Sequence, residues 1–133
     1  MQAADHVAKA ARIERSMDKL DPIADYETVI ENCMLAGTHY LNAALHLRGV
    51  TRSTRDLLHS DKPKLRTQPP ADLASVLAAM KFIEDLRPPY VRGTQTYDPR
   101  LSAECLARYR QVRDFARREI SAAGRVPAAA GRR

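Results

Sequence analysis

Residues 22–48 read PIADYETVIENCMLAGTHYLNAALHLR. Apolar or small residues recur at Tyr26, Ile30, Cys33 and Met34, Gly37, Leu41, and Ala44 and Leu45. Steps of three and four residues are the period of a helix with one buried face, not the alternation of a strand. Asp21 and Pro22 offer an N-cap followed by a first-turn proline. Gly49 stands just past the other end, and Arg48 in the last turn suits the negative end of the helix dipole. A helix over this stretch would be about 40 Å long. Ala36, Gly37, Ala43 and Ala44 leave room for a neighbouring helix to approach closely. A glycine inside a helix costs about 1 kcal/mol relative to alanine, so tight packing is the expected compensation.

Such a helix cannot cover its own stripe, and the rest of the chain supplies three more. Residues 3–20 carry Val7, Ala10, Ala11, Ile13, Met17 and Leu20, a thin, alanine-rich stripe. Asp21-Pro22 leaves room only for a tight turn, which makes the first two helices antiparallel neighbours. Residues 70–87 carry Leu73, Val76, Leu77, Met80, Ile83 and Leu86, with Pro88-Pro89 as the expected stop. Asp98-Pro99 repeats the start signal and opens a fourth helix to about residue 122, with Leu101, Cys105, Tyr109, Val112, Ala116 and Ile120 inward. The segment 49–70 is long for a helix–helix connection, and Leu57 and Leu58 are expected to pin it to the bundle. The predicted fold is all-α, an antiparallel up-and-down four-helix bundle with a long loop between helices 2 and 3. It forms one domain over residues 1–122, followed by a flexible basic tail at 123–133.

With 133 residues the chain suits a single core. There is no apolar N-terminal run and no stretch long enough to cross a bilayer, so the expectation is a cytoplasmic protein, of bacterial type, with no membrane partner. Cys33 and Cys105 lie on apolar stripes and form no Cys-x-x-Cys pair, so they read as reduced core residues. The net charge of +6 is unevenly spread. Residues 1–47 hold four basic and seven acidic groups, while residues 87–133 hold eleven and four. The C-terminal third could steer towards anions, or its basic helix could pair with an acidic neighbour.

Candidate chemistry is sparse. His39, Asn42 and His46 fall on one face of the long helix, at i, i+3 and i+7. Two histidines two turns apart are about 10 Å apart along the axis, too far to share a metal without a third element between them. No Glu-x-x-His or His-x-x-x-His occurs, so no metal or cofactor is expected, and these residues read as a polar seam or part of a ligand pocket. The five glycines are unpaired, which leaves no phosphate loop. The segment 84–97, EDLRPPYVRGTQTY, places Arg87, Tyr90, Arg92 and Tyr97 in one turn. Guanidinium groups beside aromatic rings can hold a phosphate and a base. Arg110, Arg113 and Arg117 extend that basic character along one face of the last helix.

Residues 3–122 resemble the HEPN superfamily of helical nucleotide-binding domains. The resemblance lies in the long helix with AGTHYLNAALHL, a third helix ending in arginine, a turn and a closing helix. It implies a tendency to form homodimers. Many such domains cleave RNA with an Arg-x4-6-His motif. Arg87 matches its arginine, but Arg92 stands where histidine would, and no histidine follows His59. A formal match, Arg52-x6-His59, lies in the loop after the long helix. The resemblance therefore implies a non-catalytic binding or accessory module. Its partner would be a nucleotide, RNA or an acidic protein, with nucleotidyltransferases and antitoxins as candidate protein partners. The alternative is a metal-independent RNase, with Arg52 on the phosphate and His59 as general acid/base.

Overall fold

The structure is a computed structural model and describes residues 1–58 and 68–125. Four helices make up the fold: α1 (Ala3–Met17), α2 (Tyr26–Leu47), α3 (Ala71–Leu86) and α4 (Arg100–Arg125). No strand occurs among the described residues. The all-α four-helix arrangement is the one the sequence predicts. The helix α2 is the centre. Its backbone lies close to α1, α3 and α4, whereas the backbone of α1 lies close to α2 alone among the helices, and α1 reaches α4 through side chains.

The predicted small residues give α2 that role. Ala36, Ala43 and Ala44 are fully buried, and a Cβ on Gly37 would stand 2.7 Å from the Met80 sulfur of α3. Ile30, Met34, Tyr40 and Leu45 of α2, Leu73 and Ile83 of α3, and Tyr109 and Val112 of α4 are the large side chains of the core. Cys33 and Cys105 are buried free thiols, and the Cys33 thiol lies 3.4 Å from the Met17 sulfur. Gly49 ends α2 at φ 74°. The amide of Gly49 donates to the carbonyl of His46, and that of Val50 to the carbonyl of Leu45. This pair of bonds is a Schellman cap, and it needs a left-handed residue at Gly49.

Two boundary readings need correction. Asp21-Pro22 does not open α2. The Asp21 carboxylate accepts from the amides of Ile23 and Ala24 at 2.8 and 2.9 Å, closing one separate turn. Asp25 then leaves helical geometry, and α2 begins at Tyr26, so it spans about 33 Å rather than 40. Likewise Pro88-Pro89 does not stop the chain at the end of α3. It continues as a π-helical turn over Arg87–Arg92. Neither proline can donate the amide an α-helix would use there, so the backbone widens instead of ending. At the close of this turn a Cβ on Gly93 would stand 2.8 Å from the carbonyl oxygens of Pro88 and Pro89. By contrast Asp98 does cap α4, its carboxylate accepting from the Arg100 amide at 3.0 Å.

Ion pairs tie the helices at both ends. Arg48 of α2 reaches Asp72 of α3 and Glu119 of α4, with its guanidinium 4.8 Å from the centre of the Phe115 ring. Glu14 of α1 bridges to α4, accepting from the Tyr109 hydroxyl at 2.7 Å and from Arg113 at 3.2 Å. Burial and this bond to Glu14 push the Tyr109 hydroxyl far above its ordinary pKa.

Candidate functional site

The polar face of α2 is built into the molecule. Asn42 is buried, and its amide grips the backbone of Leu57 in the segment after α2. The Leu57 amide donates to Asn42 Oδ1 at 2.7 Å, while Asn42 Nδ2 donates to the Leu57 carbonyl at 2.9 Å and to the Thr38 carbonyl at 3.1 Å. This clamp fixes the position of the preceding residue, Asp56.

Asp56 lies against two histidines, and a third, His39, meets the first of them. Its Oδ1 is 2.9 Å from His6 Nε2 and 2.8 Å from His46 Nε2. The Nδ1 atoms of His6 and His39 are 2.9 Å apart, and His46 Nδ1 is 2.7 Å from Thr51 Oγ1. The side chains of His6 and His46 are only 2% and 5% exposed, whereas Asp56 keeps 27%. The Met1 amino group approaches the other carboxylate oxygen at 3.1 Å. Thus His6, from α1, stands between His39 and His46, its ring centre 5.2 and 5.4 Å from theirs.

These contacts fix the proton arrangement of the neutral rings. An ionised carboxylate only accepts, so His6 and His46 each donate from Nε2. His6 Nδ1 then accepts from His39 Nδ1, and His46 Nδ1 accepts from the Thr51 hydroxyl. Partial burial pushes the Asp56 carboxyl up, but hydrogen bonds from His6, His46 and the Met1 amino group outweigh it. The carboxyl is held well below the usual carboxylate range. Burial, aided by the neighbouring His6, lowers the pKa of His39.

Sequence reasoning named His39, Asn42 and His46 but missed His6 and Asp56. His6 sits in line with Ala10, Ile13 and Met17, and a histidine on an apolar stripe was the available signal. For Asp56 no local signal existed, because the Asn42 clamp and the His46 contacts that bring its segment back onto α2 form only in the fold.

The basic turn is largely committed to the fold. Arg87 is 14% exposed and pairs with Glu31 of α2 at 2.7 Å and with Glu84 at 3.2 Å. Tyr97 stacks on Tyr26 with ring centres 3.9 Å apart, meets the edge of Tyr90, and shares a hydrogen bond with Ser102. Arg92 remains exposed. On α4, Arg113 binds Glu14 and Asp114, while Arg110, Arg117 and Arg118 are exposed. A cleft of about 180 Å³ opens between α1, the start of α2 and α4, lined by Met17, Leu20, Val29, Tyr109, Arg110 and Arg113 among others. Arg52 is exposed. His59 lies outside the described residues, and so does its pairing with Arg52.

No helix among the described residues is long and apolar enough to cross a membrane. No protein-family model matches the chain, and neither does any curated protein or any solved structure.

Proposed function

We propose that the protein is a non-catalytic, homodimeric helical binding module that takes an anionic chain, such as single-stranded RNA, along the arginine face of α4. One observation carries this reading. Arg92, Arg110 and Arg118 are exposed and form no ion pair among the described residues. Arg117, 53% exposed, has only a 3.7 Å contact with Glu14. Arg87 and Arg113, by contrast, are spent on internal pairs and belong to the fold.

The size of the neighbouring cleft favours a chain over a free nucleotide. Ligand pockets usually offer about 300–1,000 Å³. The cleft beside Arg110, at about 180 Å³, would hold one base or one side chain rather than a whole nucleotide. The resemblance to HEPN domains supports the same reading and adds the dimer.

Fluorescence anisotropy with a single-stranded RNA tests it. Affinity should fall as salt rises, because neutralised phosphates release counterions. Replacing Arg110, Arg117 and Arg118 together by alanine should weaken binding about 10-fold or more and flatten the salt dependence, each lost phosphate contact removing about 0.7 from the slope. The melting temperature should be unchanged. Binding that is absent, or that ignores both salt and the triple variant, ends the reading. Retained binding to an acidic protein alone would move the partner to that class.

A further inference from the structure

We infer that His6, His46 and Asp56 form a binding site for one zinc-class divalent metal ion, with His39 and Thr51 as the groups that orient the two imidazoles. The site is separate from the arginine face and does not depend on it.

The donor atoms already converge. His6 Nε2, His46 Nε2 and a carboxylate oxygen of Asp56 lie within 4.8 Å of one another. They come from α1, the end of α2 and the segment after α2, so the fold rather than local spacing assembles them. In a tetrahedral zinc site, bonds of about 2.0–2.2 Å to nitrogen and oxygen place neighbouring ligand atoms about 3.3 Å apart. The two nitrogen–oxygen separations here are 2.8 and 2.9 Å. To admit the ion these two separations would open by about half an ångström, with the two nitrogens, within 4.8 Å of each other, set about the ion.

The chemistry of the donors selects the metal. Two imidazoles and one carboxylate suit zinc and its transition-metal neighbours, whereas magnesium and calcium take oxygen ligands. Three protein ligands leave a fourth position open. Asp56, 27% exposed, is the member through which an ion and a water molecule reach the otherwise buried pair.

Both histidines also carry the outer partner that metal-bound imidazoles use. A ligating ring donates its other N–H to a fixed acceptor, which sets its tautomer. Here His46 Nδ1 faces Thr51 Oγ1 at 2.7 Å, and His6 Nδ1 faces His39 Nδ1 at 2.9 Å. Without metal, each neutral ring holds its proton on Nε2, towards Asp56. When an ion takes Nε2, that proton moves to Nδ1 and the outer bonds reverse. His46 then donates to the Thr51 hydroxyl oxygen. His6 donates to His39, whose own proton moves to Nε2. For neutral rings the exchange only moves protons between ring nitrogens.

The test uses the whole chain and zinc chloride. Isothermal titration, with metal analysis after gel filtration, should give one ion per chain. His46→Gln and Asp56→Asn should each weaken binding by more than about 100-fold, and Thr51→Val by about 10-fold, with Thr51→Ser restoring it. Circular dichroism shows whether each variant folds. Cobalt in place of zinc should give the intense visible bands of a four-coordinate ion. A second measurement needs no variant: nitrogen-15 imidazole spectra of the wild-type protein should show Nε2 of His6 and His46 taking the metal while His39 keeps a protonated ring nitrogen. The proposal is overturned if no stoichiometric ion binds. It is also overturned if the folded ligand variants bind as well as wild type, or if the imidazole shifts fall on other histidines.

Discussion

Asn42 offers both ends of its amide to the backbone of Leu57 and neither to solvent. Replacing it by leucine removes those bonds and leaves a backbone amide and carbonyl without partners, each worth about 1–3 kcal/mol when buried. Asn42→Leu should therefore lower stability by about 2–4 kcal/mol in chemical denaturation; a loss below about 0.5 kcal/mol would mean that the segment after α2 is held by other contacts. Gly37 gives a second residue-level test. Its missing Cβ faces Met80, so Gly37→Leu should cost about 1–3 kcal/mol by overpacking the α2–α3 contact. A variant that melts at the parent temperature would place that contact elsewhere. Tyr109 makes a pH prediction. Its folded pKa is raised by burial and by Glu14, while the unfolded side chain ionises near about pH 10. The unfolded state thus loses its proton first, so the contribution of Tyr109 is intact below about pH 10 and declines above it. Melting temperatures followed from about pH 9 to 11 should fall, and Tyr109→Phe should flatten the fall. These residues also show how far local reading reaches. Gly37 was legible because helix period and residue size meet at one position. His39, Asn42 and His46 were legible as a line on one face. What they bind was not legible, because His6 lies 33 residues from His39 and 50 from Asp56, in contacts that only the folded chain makes.

Between α3 and α4 the chain uses an element that propensity rules do not suggest. Two successive prolines are a stop signal for an α-helix, yet here they sit inside a π turn that α3 runs into without a break. The reason lies in partners outside the turn. Arg87 anchors its start to Glu31 and Glu84, and the Tyr26–Tyr97 stack holds the chain just beyond it. The sequence signal was sound as a statement about local hydrogen bonding, and tertiary contacts overrode it. Arg87 and Arg92 should therefore behave differently although both lie in the turn. Arg87→Ala should lower stability by about 1–3 kcal/mol, because it removes the guanidinium that pairs with the part-buried Glu31 carboxylate and with Glu84. Arg92→Ala should leave the melting temperature unchanged. Equal effects in thermal melts would show that the turn does not depend on its acidic anchors.

At the scale of the molecule, fold class and helix order were legible because three of the four helices carry continuous stripes, and α2 also carries a run of small residues. The dimer is a matter for light scattering at tens of micromolar protein. A species of twice the chain mass is expected, and a monomer would remove that part of the proposal. The backbone of α1 lies close to α2 alone, with Glu14 as its side-chain tie to α4, and this has a further consequence. The other three helices contact one another mutually, so the chain has one edge along which a single helix can lift while the remaining fold stays closed. Such sub-global opening sets the slowest and fastest amides apart in native-state hydrogen exchange. The amides of α1 should exchange well before those of the core of α2. His6 lies on that lifting edge, whereas His46 and Asp56 lie on the part that stays. An ion held among the three would act as a hasp across the edge, slowing exchange in α1 while leaving α4 untouched, and a chelator would release it.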